Sequence, residues 1–201
     1  MLAIIDYGVG NLFSLQCSLK KIGVDAVVTK DAQVIKDADR IILPGVGAFG
    51  DAAEKLNKSG LGKVLCEQAK NGKPIMGICL GMQLFFDESE ESPGVSGLGI
   101  LKGKFKKIPK ISDIKIPHIG WNSLEMPKQS RILKDIGDEP YVYFVHSYYV
   151  ENCDDSLLAT TEYGNELTAA VASGNVYGCQ FHPEKSGSTG LNILKAFCEM
   201  E

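Results

Sequence analysis

Through the first half of the chain, short apolar runs alternate with amphipathic segments. Residues 2–6 are a brief apolar run closed by Tyr7-Gly8-Val9-Gly10, which reads as a buried strand. Residues 12–22 put Leu12, Leu15, Leu19 and Ile22 at helical spacing, with Asn11 as a candidate cap in front and Gly23 behind. A strand over 26–29, a short helix over 31–37 and a third strand over 39–43 follow. A loop rich in Pro and Gly, 44–50, precedes one long predicted helix, 51–71, and then another apolar run. Strands alternating with helices predict an α/β fold, an open and mostly parallel twisted sheet with helices on both faces.

The pattern changes after Phe86. Residues 87–99 are acidic and turn-rich; 99–108 and 116–126 alternate as strands with Pro and Gly between them. Residues 141–150 predict one long aromatic strand, 157–161, 168–172 and 176–181 three more, and 191–200 a closing amphipathic helix. Consecutive strands without helices imply antiparallel additions to the sheet in the C-terminal half. No repeat, low-complexity tract or linker interrupts the 201 residues, which read as a single domain, 1–201.

Composition narrows the function classes. With 44% hydrophobic and 23% charged residues the chain has ordinary soluble composition. The net charge of -4 and the lack of a dense basic run argue against nucleic acid. No apolar run is long enough for a bilayer, and Met1 leads directly into a strand, so neither a membrane nor a signal peptide is expected. The six cysteines show no C-x-x-C spacing, which points to reduced thiols and a cytoplasmic compartment, with no metal and no cofactor.

One cysteine has a context that asks for chemistry. Gly77-Ile78-Cys79-Leu80-Gly81 sits where an apolar strand meets a sharp turn and a helix. That is the nucleophile-elbow pattern with sulfur in place of the serine oxygen. A helix N-terminus favours thiolate over thiol, and its free N–H groups can receive an oxyanion. The alternative reading of Cys79 is a small buried hydrophobe, so partners decide. Of three histidines, His118, His146 and His182, the last is the best base. Pro183 pushes it into an extended conformation, and in an extended segment Glu184 points the same way and can fix its tautomer. The alternative is a surface His-Glu pair.

Gly45-Val46-Gly47-Ala48-Phe49-Gly50 formally fits the dinucleotide fingerprint G-x-G-x-x-G. Pro44 stiffens the first turn, and no acidic strand end follows at the required distance. These glycines serve better as N–H donors near the thiol.

Cys79 with its flanking glycines, and the later His182-Pro183-Glu184, resemble the class I, Cys-His-Glu, glutamine amidotransferases. Segments 44–49, 117–122, 144–148 and 178–186, with the opening 5–12, resemble the glutaminase subunits of imidazole glycerol phosphate synthases. The resemblance spans the whole chain. It implies Cys79, His182 and Glu184 as catalytic groups attacking the glutamine side-chain amide through a glutamyl thioester. It implies Leu80 with Val46 and Gly47 as oxyanion hole, and Gln83, Glu91, His146, Ser147 and Tyr148 around the glutamine. A (β/α)8-barrel cyclase subunit is the implied partner. It would take the ammonia through a tunnel, with Asn11, His118, Trp121 and Asn122 as candidate contacts. Trp121 has an alternative reading as core.

Overall fold

The computed structural model describes residues 1–111 and 114–200. The elements run β1 (Leu2–Ile5), α1 (Leu12–Lys21), β2 (Ala26–Thr29), α2 (Ala32–Asp37), β3 (Arg40–Gly45), α3 (Phe49–Lys58), α4 (Leu61–Lys70), β4 (Ile75–Cys79) and α5 (Leu80–Gln83). The second half adds β5 (Glu88–Ser89), β6 (Lys104–Lys107), β7 (His118–Ser123), β8 (Tyr141–His146), β9 (Tyr148–Glu151), β10 (Leu157–Glu162), β11 (Glu166–Ser173), β12 (Val176–Cys179) and α6 (Gly187–Cys198).

A seven-stranded sheet in the order β10-β11-β12-β4-β3-β1-β2 forms the centre. The strands from β12 to β2 are parallel, and β10 and β11 add antiparallel at one edge. Alternate strand residues divide between two cores, as the two-residue period of a strand requires. Leu2, Ile4, Ile42 and Met76 pack with Leu15 and Leu19 of α1 and with Ile193, Leu194 and Phe197 of α6. Ile5, Ile41, Leu43 and Ile75 pack with Ile35, Leu56, Leu61 and Leu65 of α2, α3 and α4 on the other face. The fold class expected from the hydrophobic pattern is the one observed.

Several details differ from the sequence expectation. The single helix over 51–71 is two, broken at Ser59-Gly60, where Gly60 takes the left-handed conformation with φ 75°. The aromatic strand 141–150 is also two. It breaks at Ser147, β8 pairing with β7 in a separate hairpin and β9 joining β6 and β5 in a small sheet. Of the consecutive strands, then, only β10, β11 and β12 extend the main sheet. The expected strand over 99–108 is confined to Lys104–Lys107. Asn11 stands at the N-cap position of α1, but its side chain makes no capping bond. Among the described residues no helix is long and apolar enough to cross a membrane, and the six cysteines are free thiols.

Candidate active site

Parallel order places the C-terminal ends of β3, β4 and β12 side by side. Gly45 is in register with Cys79, and Cys79's neighbour Ile78 with Cys179. The turn at Cys79 is strained, with φ 53° and ψ -114° on a residue that is not glycine. Glycines make that turn possible by close approach rather than by backbone freedom. A Cβ on Gly45 would lie 2.6 Å from the Gly81 nitrogen and 2.9 Å from the Leu80 Cβ. A Cβ on Gly77 would lie 2.6 Å from the Met82 nitrogen. The buried Tyr7 hydroxyl ties the loop down by donating to the Pro44 carbonyl at 2.9 Å. The helix behind the elbow is a single turn, Leu80–Gln83, so the macrodipole expected to act on the sulfur is small; what remains is the set of N–H groups of that turn.

His182 Nδ1 lies 2.9 Å from Glu184 Oε1, both side chains being almost fully buried. His182 is extended, as its position before proline requires. Glu184 reaches it by a different route from the one expected: Pro183–Lys185 form a 3₁₀ turn, not a strand. Three bonds fix the imidazole's backbone. His182 N–H donates to Tyr143 O at 2.9 Å, Ser186 Oγ donates to His182 O at 2.6 Å, and Tyr143 N–H donates to Ser186 Oγ at 3.0 Å. Burial alone pushes His182 toward the neutral form. The Cys79 sulfur and the Glu184 carboxylate on either side outweigh it and hold the imidazole up at about 10. With Nδ1 taken by Glu184, Nε2 is the nitrogen left for the thiol.

A cleft of about 220 Å³ opens over these groups. Its lining includes Val46, Gly47, Cys79, Leu80, Gln83, Glu91, His146, Ser147, Tyr148 and His182. Every residue expected at the thiol, the oxyanion hole and the glutamine pocket is on this wall except Glu184, which stands behind His182. A larger, shallow hollow of about 690 Å³ along Met126, Lys128, Arg131 and Lys134 contains none of them. Cys79 packs against core residues yet borders the cleft, so its surroundings are not those of a sealed hydrophobe.

The structure gives several of the expected residues other surroundings. His146 Nδ1 donates to Tyr148 O at 2.9 Å, and its Nε2 is covered by His118 Nδ1 at 3.0 Å. His146 therefore walls the cleft rather than offering it a hydrogen bond. His118 is fully buried, stacked 3.8 Å from the Tyr163 ring, and cannot be a surface contact. It occupies the inward position of β7, whereas Trp121 points out and is 52% exposed, which excludes the core reading. Asn122 is half-buried and bonded to His118 Nε2 at 2.8 Å. Asn11 lies next to the triad, lining a small cavity shared with Val46, His182 and Glu184. The Glu91 carboxylate accepts the Phe49 N–H at 2.7 Å, at the start of α3. That is where a dinucleotide fingerprint would put pyrophosphate, and the carboxylate's charge opposes it.

Two groups were not singled out from the sequence. Gln180 is completely buried beside the sulfur, and Val145 offers its carbonyl to the thiol at 3.8 Å. A glutamine at the end of an otherwise apolar strand, two residues before His182, was the available signal for the first. The second is a backbone group and left none.

Burial pushes His146 down to about 4, with His118 and His182 adding to the effect and the Tyr148 carbonyl opposing it. The unfolded chain then takes a proton near 6.5 that the folded chain refuses, so stability is whole above that value and falls as pH drops from 6.5 to 4. The loss is expected to approach roughly 3 kcal/mol. Urea unfolding at pH 7 and pH 4.5 checks it: in His146→Gln the difference between the two should shrink, and an undiminished difference would assign the acid sensitivity elsewhere.

A family model described as glutamine amidotransferase class-I matches residues 3–200. The chain is 50% identical over 200 residues to the imidazole glycerol phosphate synthase subunit HisH of Methanothermobacter thermautotrophicus, covering all of this chain and 98% of that protein. It is 53% identical over 201 residues to the subunit of the same name from Caldanaerobacter subterraneus subsp. tengcongensis, again across all of this chain and 98% of the relative. Among solved structures, one described as a glutamine amidotransferase superposes with a TM-score of 0.76 at 18% identity, covering 98% of each chain. PurLQS from Thermotoga maritima superposes with a TM-score of 0.74 at 21% identity, over 98% of this chain and 96% of its own. At these identities the structures speak for the fold.

Proposed function

The chain belongs to the class-I glutamine amidotransferases, and on that premise we propose that it is the glutaminase subunit of an imidazole glycerol phosphate synthase, acting as one domain in histidine biosynthesis. The observation that carries the reading is the meeting of Cys79 and His182 in the wall of one cleft, with Glu184 bonded to His182 behind it. The Cys79 thiolate attacks the side-chain amide carbon of glutamine. The oxyanion formed is received by the Leu80 N–H and by N–H groups of the Val46-Gly47 loop. His182, held protonated, gives its proton to the departing ammonia, and Glu184 keeps the ring in place. Water, deprotonated by the same imidazole, then cleaves the glutamyl thioester, releasing glutamate and restoring the thiolate. Gln83, Glu91, Ser147 and Tyr148 surround the glutamine head group.

Ammonia released into neutral water becomes ammonium and loses its nucleophilicity. The reading therefore includes a (β/α)8-barrel cyclase partner that takes ammonia through a tunnel and makes imidazole glycerol phosphate and aminoimidazole carboxamide ribotide. Asn11, Trp121 and Asn122 form the proposed seat. Trp121 stands edge-on to Tyr143 with ring centroids 5.8 Å apart, and Tyr143 O holds the His182 N–H. Exposed aromatic side chains of this kind are common anchors.

Gly47, at φ 102°, gives its peptide to Val46 freedom that another residue would lack. The oxyanion hole is accordingly proposed to be completed only when the partner is engaged. The test is glutamine hydrolysis by the isolated protein and by its complex with the barrel subunit, with and without the barrel's nucleotide ligand. A strong rise in the liganded complex is expected. Equal rates with and without partner would remove the gating, and broad γ-glutamyl hydrolysis by the lone chain would favour a hydrolase on the same scaffold.

A further inference from the structure

Gln180 follows the last residue of β12 and is completely buried. Its Nε2 lies 3.7 Å from Cys79 Sγ. Its Oε1 accepts a hydrogen bond from Gln83 Nε2 at 3.1 Å. A carboxamide has a donor end and an acceptor end, and in a dry site its direction is set by its neighbours. Gln83, on the turn behind the elbow, supplies an N–H to one end, which leaves the N–H₂ end for the sulfur.

Another protein group at the sulfur is the Val145 carbonyl, 3.8 Å away. A neutral thiol can donate to that oxygen. A thiolate cannot, and would face it lone pair to lone pair. The charged form therefore needs donors of its own, and two are at hand: His182 and the Gln180 amide. We propose that Gln180 is a positioning residue that stabilises the Cys79 sulfur as the attacking anion, with Gln83 fixing which end of the amide it presents. The same N–H serves the sulfur again when the thioester breaks and the thiolate leaves. Gln83 thus links the two ends of the reaction. Its Nε2 is committed to Gln180, and its Oε1 remains for the cleft that it lines. The assignment rests on the glutaminase reading above.

The experiment is alkylation by iodoacetamide across the pH range, followed at Cys79 alone by mass spectrometry of its peptide because Cys17 is an exposed free thiol, in the full-length protein with the natural sequence, Gln180→Met and Gln180→Glu. Methionine keeps the length and removes the N–H. Glutamate keeps the shape and the bond from Gln83 but turns a second negative charge on the sulfur. Alkylation near neutral pH is expected to slow about ten-fold in Gln180→Met and more in Gln180→Glu, with all three rates converging at high pH. That convergence is what a merely structural role would not give. Superimposed profiles, or a rate lowered equally at every pH, would overturn the proposal. Alkylation needs no glutamine. A natural protein that hydrolyses no glutamine in any complex would defeat the glutaminase reading, while the alkylation profiles would still judge Gln180.

Discussion

Cys79→Ala is expected to lower glutamine-dependent turnover of the complex with the barrel subunit by roughly 10⁴-fold or more, because nucleophile and thioester vanish together. Ammonia supplied at alkaline pH should restore product formation, since the barrel's own chemistry is untouched. Alanine keeps the Cβ, so the elbow at φ 53° carries the same strain as before and the fold should hold. Glutamate release and product formation, measured side by side, check the prediction. Residual glutamine turnover within about ten-fold of the natural protein would mean that Cys79 is not the nucleophile.

Gly81→Ala should be as damaging by a different route. A Cβ there would lie 2.8 Å from the Leu43 carbonyl carbon and closer still to its oxygen, and both belong to backbone in the middle of the sheet. Neither a rotamer change nor a flexible tip can relieve the overlap. The elbow turn must move off β3, taking Cys79 and the Leu80 N–H with it. A cost of about 3 kcal/mol or more is expected, a fall of roughly 10 °C in Tm, with loss of glutaminase activity in whatever folds. Gly72→Ala is the control. It is also a glycine-to-alanine change, at φ 84° with nothing within 4 Å of the new Cβ, and only the backbone conformation, about 1 kcal/mol, should be felt. Equal thermal shifts in the two variants would refute the packing argument.

The central sheet was legible because buried parallel strands write themselves as short continuous apolar runs, and residues 2–5, 40–45 and 75–79 are of that kind. The elbow was legible because its glycines are demanded by backbone contact, as Gly77 shows at 2.6 Å from Met82. Apart from the helix break at Gly60, what escaped is where the chain turns without glycine or proline. The aromatic strand breaks at Ser147, and the break is held by His146 Nδ1 reaching over to Tyr148 O, which no periodicity announces. The helix behind Cys79 stops after one turn. Leu84, Phe85 and Phe86 spend their carbonyls on the returning segment 97–101 instead. His118 read as surface because it sits in a polar and aromatic segment. It is buried because Phe144, Tyr163 and His146 enclose it, and the closest of these stacks is with a residue 45 positions further along the chain. Gln180 sat in a segment already recognised, but its role depends on a sulfur 101 residues earlier.

That separation has a consequence for synthesis. Strand β4 leaves the ribosome about a hundred residues before β12, its partner on one side. Until then a nascent chain carries the nucleophile without its base, beside a sheet margin whose N–H and C=O groups are unpaired. Such margins recruit other chains. A message cut short ahead of residue 176 would thus yield a sticky, inert product rather than a weakened one, and quality control would see it as aggregate before it could matter as an enzyme.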